Sequence, residues 1–104
     1  MIVAGVMSGT SADGINVALV RITPSSRDRA GTPGLQCLAH AEYSYPKRVR
    51  SVVLAAMNSP KASVADLARL NFLLAELYSD AVLAAQRRFH LKAELVGCHG
   101  QTLY

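Results

Sequence analysis

Tryptophan is absent from this sequence of 104 residues, aromatic residues make up only 6% and charged residues 17%. The formal charge is +4, but the basic residues are scattered as Arg21, Arg27 and Arg29, then Lys47, Arg48 and Arg50, then Arg87, Arg88 and Lys92. Without interleaved aromatics these groups read as solvated faces and give no nucleic-acid surface. There are two cysteines, and Cys37 and Cys98 form neither a C-x-x-C pair nor a metal spacing, so they read as reduced, buried thiols and exclude a disulfide framework. No stretch approaches the roughly 20 apolar residues that span a bilayer, and the N-terminus lacks a basic region followed by a signal-like core. A cytosolic chain with no membrane partner is the expectation. Two familiar chemistries are missing by spelling: there is no G-x-x-x-x-G-K-[ST] and no G-x-S-x-G, which excludes a lysine-bearing P-loop and a nucleophile elbow.

What is present is a globular composition, 51% apolar, in a length that suits one small domain. The chain is organised around Gly5-Val6-Met7-Ser8-Gly9-Thr10-Ser11-Ala12-Asp13-Gly14-Ile15-Asn16. This turn lies between an apolar run over residues 2 to 7, expected to be buried on both faces, and a second run from Ile15 to Ile22, which together predict a β-hairpin with the turn at its tip. Gly5, Gly9 and Gly14 open the backbone so that a ligand can approach bare N–H groups, and Ser8, Thr10 and Ser11 add hydroxyl donors. Asp13 is the turn's only carboxylate and the natural group to hold a hydrated cation such as Mg²⁺. The same residue types also make ordinary surface turns, and composition alone leaves that reading open beside a phosphate cradle.

Residues 23 to 34 have loop composition without periodicity. A third strand is predicted from about Leu35 to Tyr43, with Cys37, Ala39, Ala41 and Tyr43 on one face and His40 on the more polar one. Pro46 fits the first turn of a helix carrying Val49, Val52, Val53 and Ala56, which Asn58-Ser59-Pro60 ends. Ser63 and Asp66 form a capping-box pattern opening a long helix to about Phe89, with Leu67, Leu70, Asn71, Leu74, Leu77, Tyr78, Ala81 and Ala85 on one side. An unpaired amide on that stripe would cost about 1–3 kcal/mol, so Asn71 is expected to have a partner. Glu94 to Cys98 reads as a short buried strand. A helical crossover makes it parallel to the first strand, which brings His99-Gly100-Gln101-Thr102 to the same end of the sheet as the turn, where open α/β sheets collect ligands.

These two segments resemble the signatures of the anhydro-N-acetylmuramic acid kinases, in that family's order and at about its spacing, with Leu70-Asn71-Phe72 and Glu76 also similar. One departure is Asn16, where the family usually has Asp; an amide hydrogen-bonds but carries no charge. The resemblance implies the opening of an actin-like ATPase lobe, a mixed-sheet α/β fold of order β-β-β-α-α-β. On that reading residues 1–104 are about the first third of a two-lobed protein, leaving a sheet edge and an apolar flank uncovered. It also implies ATP-dependent hydrolytic opening of 1,6-anhydro-N-acetylmuramic acid with phosphorylation of the sugar's 6-oxygen, in peptidoglycan recycling. Gly9, Thr10, Ser11, Ala12, Asp13, Gly14, Ile15 and Asn16 would then bind ATP, Asp13 would hold Mg²⁺, and His99, Gly100, Gln101 and Thr102 would line the sugar cleft. The partners implied are a nucleotide and a small amino sugar, with room for a homodimer of the full-length protein. The catalytic base falls beyond Tyr104, and Asp28, Asp66 and Asp80 are no substitutes. A non-catalytic nucleotide-binding or assembly module is the competing class, and a hydrolase using Ser11, His99 and Asp13 has no supporting motif.

Overall fold

The structure is a computed structural model describing residues 1–25 and 31–104; the middle of the expected 23–34 loop, with Arg27, Asp28 and Arg29, lies outside the described residues. Three antiparallel strands come first, β1 (Ile2–Ser8), β2 (Gly14–Thr23) and β3 (Gly34–Ser44). Helices α1 (Lys47–Ala56) and α2 (Val64–Phe89) follow, and then β4 (Leu95–Cys98). The sheet order is β3-β2-β1-β4, with β4 parallel to β1. This is the predicted order of elements, and the crossover places β4 as expected.

Local chemistry sets the helix ends. The Ser63 hydroxyl accepts from the Asp66 N–H at 3.3 Å, satisfying one of the donors that the first turn leaves free. At the other end His90 turns left-handed at φ 52° and its N–H returns to the Gln86 carbonyl, with Arg87 and Arg88 in the last turn where cations suit the helix dipole. Helix α1 begins one residue after Pro46, which stands at the N-cap position and not inside the first turn.

The core lies between one face of the sheet and the helices: Ala4, Val6, Ile15, Val17 and Leu19 pack with Val49 and Val53 of α1 and with Leu70, Leu74, Tyr78, Val82 and Ala85 of α2. The Tyr45 and Tyr78 hydroxyls meet at 3.2 Å within it. Burial pushes the Tyr78 hydroxyl well above the usual tyrosine range, and its hydrogen bond with Tyr45 adds to the effect.

Four expectations about burial are corrected. Strand β1 is buried on one face only, since Ala4, Val6 and Ser8 turn inward while Met7 is 54% exposed. Strand β4 is exposed along its whole length, because β1 is its one strand neighbour and α2 does not cover it. Both cysteines are free and exposed. Cys98 belongs to that open strand, and Cys37 lies beyond a bulge that pairs Leu19 with Ala39 but Val20 with Cys37. One extra residue in a strand reverses which side chains face inward. Asn71 is exposed and has no hydrogen-bond partner among the described residues: Leu70 and Leu74 carry the buried face of that part of α2, and Asn71, one residue on from Leu70, is turned off it.

Apolar surface is left open on both sides of α2. A groove of about 600 Å³ lies between the helices, lined by Val52, Ala56, Leu67, Leu70 and Leu73. A second, of about 490 Å³, runs between α2 and the β1–β4 edge, past Val6, Tyr78, Val82, Leu83 and Val96. Among the described residues no helix is long and apolar enough to cross a membrane.

Candidate functional site

The turn between β1 and β2 is closed at its base and exposed at its tip. Gly9 and Ala12 close it through a bond from the Ala12 N–H to the Gly9 carbonyl at 3.0 Å. Ala12 adopts φ 51°, a left-handed conformation that costs a residue with a Cβ roughly 1–2 kcal/mol. Its methyl is wholly buried in the core, and that contact offsets the strain. Gly14 starts β2 under the neighbouring strand: a Cβ there would stand 2.8 Å from the Tyr43 carbonyl oxygen, so only glycine fits without moving backbone. Ile15 beside it is core.

The exposed part of the turn is Thr10, Ser11 and Asp13. The Thr10 and Ser11 N–H groups have no acceptor among the described residues. The tip thus exposes residues carrying two N–H groups without acceptors among the described residues, two hydroxyls and one carboxylate, groups of the kind that can meet a phosphate oxyanion with a hydrated cation. Ser8, expected among the outward hydroxyls, is instead buried at 3% exposure, because the period of β1 turns it inward with Ala4 and Val6.

The second segment reaches this turn through one side chain. The His99 N–H donates to the Val6 carbonyl at 3.0 Å, which extends the pairing of β4 to β1 by one residue. Gly100 then turns at φ 81°, a conformation favouring glycine. That turn delivers Gln101, whose Nε2 donates to the Gly9 carbonyl at 3.2 Å and whose Oε1 accepts from the Ser8 hydroxyl. Gln101 therefore fastens residues more than 90 positions away, satisfying a buried hydroxyl and a turn carbonyl at once. The His99 ring is exposed and among the described residues donates only to the adjacent Gly100 carbonyl, 3.4 Å from Nδ1, and Thr102 is exposed beside it. The two segments share one end of the sheet.

Asn16 is drawn elsewhere. Its Oδ1 accepts from His40 Nε2 at 3.0 Å, so its amide is engaged with β3 and not with the tip. Conversely, sequence reasoning placed Arg50 with Lys47 and Arg48 on a solvated face, and the structure brings it to the site. Its Nη2 is 3.3 Å from Asp13 Oδ1 and 3.4 Å from the Ser11 carbonyl oxygen. The contact joins residues 37 apart, so no local pattern could have signalled it. With the Arg50 and Asp13 side chains 45% and 64% exposed, such a pair is worth about 0–1 kcal/mol.

Among the described residues no cluster of three or more His, Cys, Asp or Glu side chains could hold a metal by itself. Asp13 nevertheless fits Mg²⁺, a cation that keeps several waters and binds through one or two carboxylates with phosphate oxygens completing the shell.

Comparison with known proteins agrees with the paired segments. A family model described as Anhydro-N-acetylmuramic acid kinase matches residues 1–104. A curated protein of that name from Picosynechococcus sp. is 39% identical over 104 residues, covering 100% of this chain and 26% of its own length. Relatives of the same name from Caldanaerobacter subterraneus and Vibrio cholerae are 33% and 34% identical, over 99% and 96% of this chain. The chain spans about a quarter of the length of these relatives, 26% in each case.

Proposed function

The chain belongs to the anhydro-N-acetylmuramic acid kinase family, and from that premise we propose that it is the nucleotide-phosphate side of an ATP-dependent sugar kinase with an actin-like fold. The protein it belongs to opens the 1,6-anhydro bridge of anhydro-N-acetylmuramic acid with water and phosphorylates the 6-oxygen, in peptidoglycan recycling and in the cytoplasm, where ATP is available. The observation that carries this reading is the Gln101 fastening, which joins an outward-facing, donor-rich turn to a second polar segment at one end of a mixed sheet. A surface turn has no need of it.

Each residue then has a task. Thr10 and Ser11 receive phosphate oxygens on their free N–H groups and hydroxyls, and preorganised donors of that kind stabilise charge that grows during transfer. Ala12, Gly14 and Ile15 fix the turn so that no ordering is needed when the nucleotide binds. Asp13 would hold Mg²⁺, which when bound neutralises developing phosphate charge. His99, Gly100 and Thr102 form part of the sugar-side wall, and Gln101 keeps that wall in register with the phosphates. Asn16, held by His40, contributes to the strand and leaves Asp13 as the turn's one anionic group. By the family resemblance the base that activates water lies beyond Tyr104; Asp66, in the first turn of α2, and Asp80, exposed further along it, are no substitutes.

The test is phosphorylation of anhydro-N-acetylmuramic acid by the product of the coding sequence extended past Tyr104. ATP-dependent formation of the 6-phosphate is expected, with none from the 104-residue chain alone. No product from the extended protein would favour a nucleotide-binding module, and product from the short chain would overturn the division of labour.

A further inference from the structure

Arg50 is the one cation that reaches the turn among the described ion pairs, and it does so from a fixed base. Val49 and Val53, on either side of it along α1, are 7% and 0% exposed, so the helix is anchored while the guanidinium projects over Ser11 and Asp13. We propose that Arg50 is a positioning residue, a latch that holds the Thr10–Asp13 tip when no nucleotide is bound and yields the Asp13 carboxylate to the incoming divalent cation. This rests on the reading that the tip receives a magnesium nucleotide.

Three features support exchange over permanent pairing. The contact to Asp13 is 3.3 Å, longer than the roughly 2.7–2.9 Å of a strong charge-assisted bond. Both partners are substantially exposed, so solvent can replace either. The carboxylate is also the tip's only anion, and a divalent cation placed on it repels the guanidinium already there. Arg50 bonds the Ser11 carbonyl as well, at 3.4 Å, so it remains beside the turn when Asp13 is surrendered. A planar guanidinium carries several donors suited to phosphate oxygens, and the released group can follow the phosphates that arrive with the cation. Lys47 and Arg48, on the same helix, make no side-chain hydrogen bond or ion pair with the turn among the described residues.

The experiment compares Arg50→Ala and Arg50→Lys with the unaltered full-length protein. Without nucleotide, amide hydrogen exchange at Ala12, whose N–H is bonded to the Gly9 carbonyl, is expected to quicken about twofold to fivefold in Arg50→Ala, the span an exposed ion pair supplies. The Mg²⁺ concentration that half-saturates binding of fluorescent ADP should fall by a similar factor, while nucleotide affinity at saturating Mg²⁺ weakens and Arg50→Lys restores part of it. Unchanged exchange overturns the latch. Faster exchange with an unmoved Mg²⁺ midpoint overturns the competition and leaves a structural pin. If the unaltered protein binds no nucleotide, the phosphate reading fails by itself, and the exchange measurement still decides whether Arg50 holds the tip.

Discussion

Strands β2 and β4 both pair with β1, yet Ile15, Val17 and Leu19 of β2 are at most 2% exposed whereas Leu95 and Val96 of β4 are 57% and 56% exposed. Both segments are apolar, so hydrophobicity does not separate them. What separates them is cover: β2 has strands on both sides and helices across its inner face, and β4 has β1 alone. The first strand is held by burial. The second is held by ladder bonds and by Gln101, and its service is to carry His99 to Thr102 to the turn. The radius of gyration, 16.2 Å against about 13 Å for a compact domain of this length, reflects the same unevenness.

The sharpest way to break this comparison is to remove methyl groups from each strand. Leu19→Ala should cost about 2–5 kcal/mol because it leaves a cavity in a wholly buried site. Val96→Ala should cost no more than about 0.5 kcal/mol in this chain, as exposed positions usually do. Urea unfolding of the two variants measures the difference. Equal losses would mean that β4 is covered.

A second variant sharpens the claim that a polar fastening takes the place of burial at β4. Gln101→Ala leaves the Ser8 hydroxyl without its acceptor in a site 3% exposed, at about 1–3 kcal/mol, and takes from the Gly9 carbonyl one of its two donors, the Ala12 N–H remaining. Gln101→Glu keeps an acceptor for Ser8 but sets a carboxylate oxygen against the Gly9 carbonyl, so it should also destabilise. Both variants should speed amide exchange in His99 to Thr102 more than in β2. Uniform change across the sheet would make Gln101 an ordinary surface residue.

The order of the elements, the Ser63 cap and the meeting of the two signature segments were legible in the sequence because each rests on local pattern plus the handedness of a crossover. The burial of β4, the phase of β3 and the fate of Asn71 were not. Each depends on what lies opposite: the neighbour β4 lacks, the bulge that carries Cys37 out of phase with Ala39, and the narrow face of α2 that meets the core through Leu70 and Leu74 but not Asn71. At the site, Thr10, Ser11 and Asp13 were readable from composition as outward groups, whereas Ser8, read as part of the turn, is the inward-facing last residue of β1. Arg50 was invisible because its meaning comes from a turn on another element.

The smallest effect vanishes at neutral pH and probes the covered side of the comparison alone. Tyr78 reaches from α2 into the core beside Tyr45, and burial raises its pKa above the unfolded value of 10.0. The folded protein therefore keeps the phenol proton at pH values where the unfolded chain has lost it. Stability from this group is complete below about pH 10 and declines as pH rises further, with a slope of at most one proton. Urea unfolding from pH 7 to 11 should show a flat region followed by that decline, and Tyr78→Phe should remove the share of the slope that Tyr78 carries while leaving Tyr45 without its partner. An alkaline slope that survives in Tyr78→Phe at full strength would show that the proton belongs to another group and that the covered face is less dry than its packing indicates.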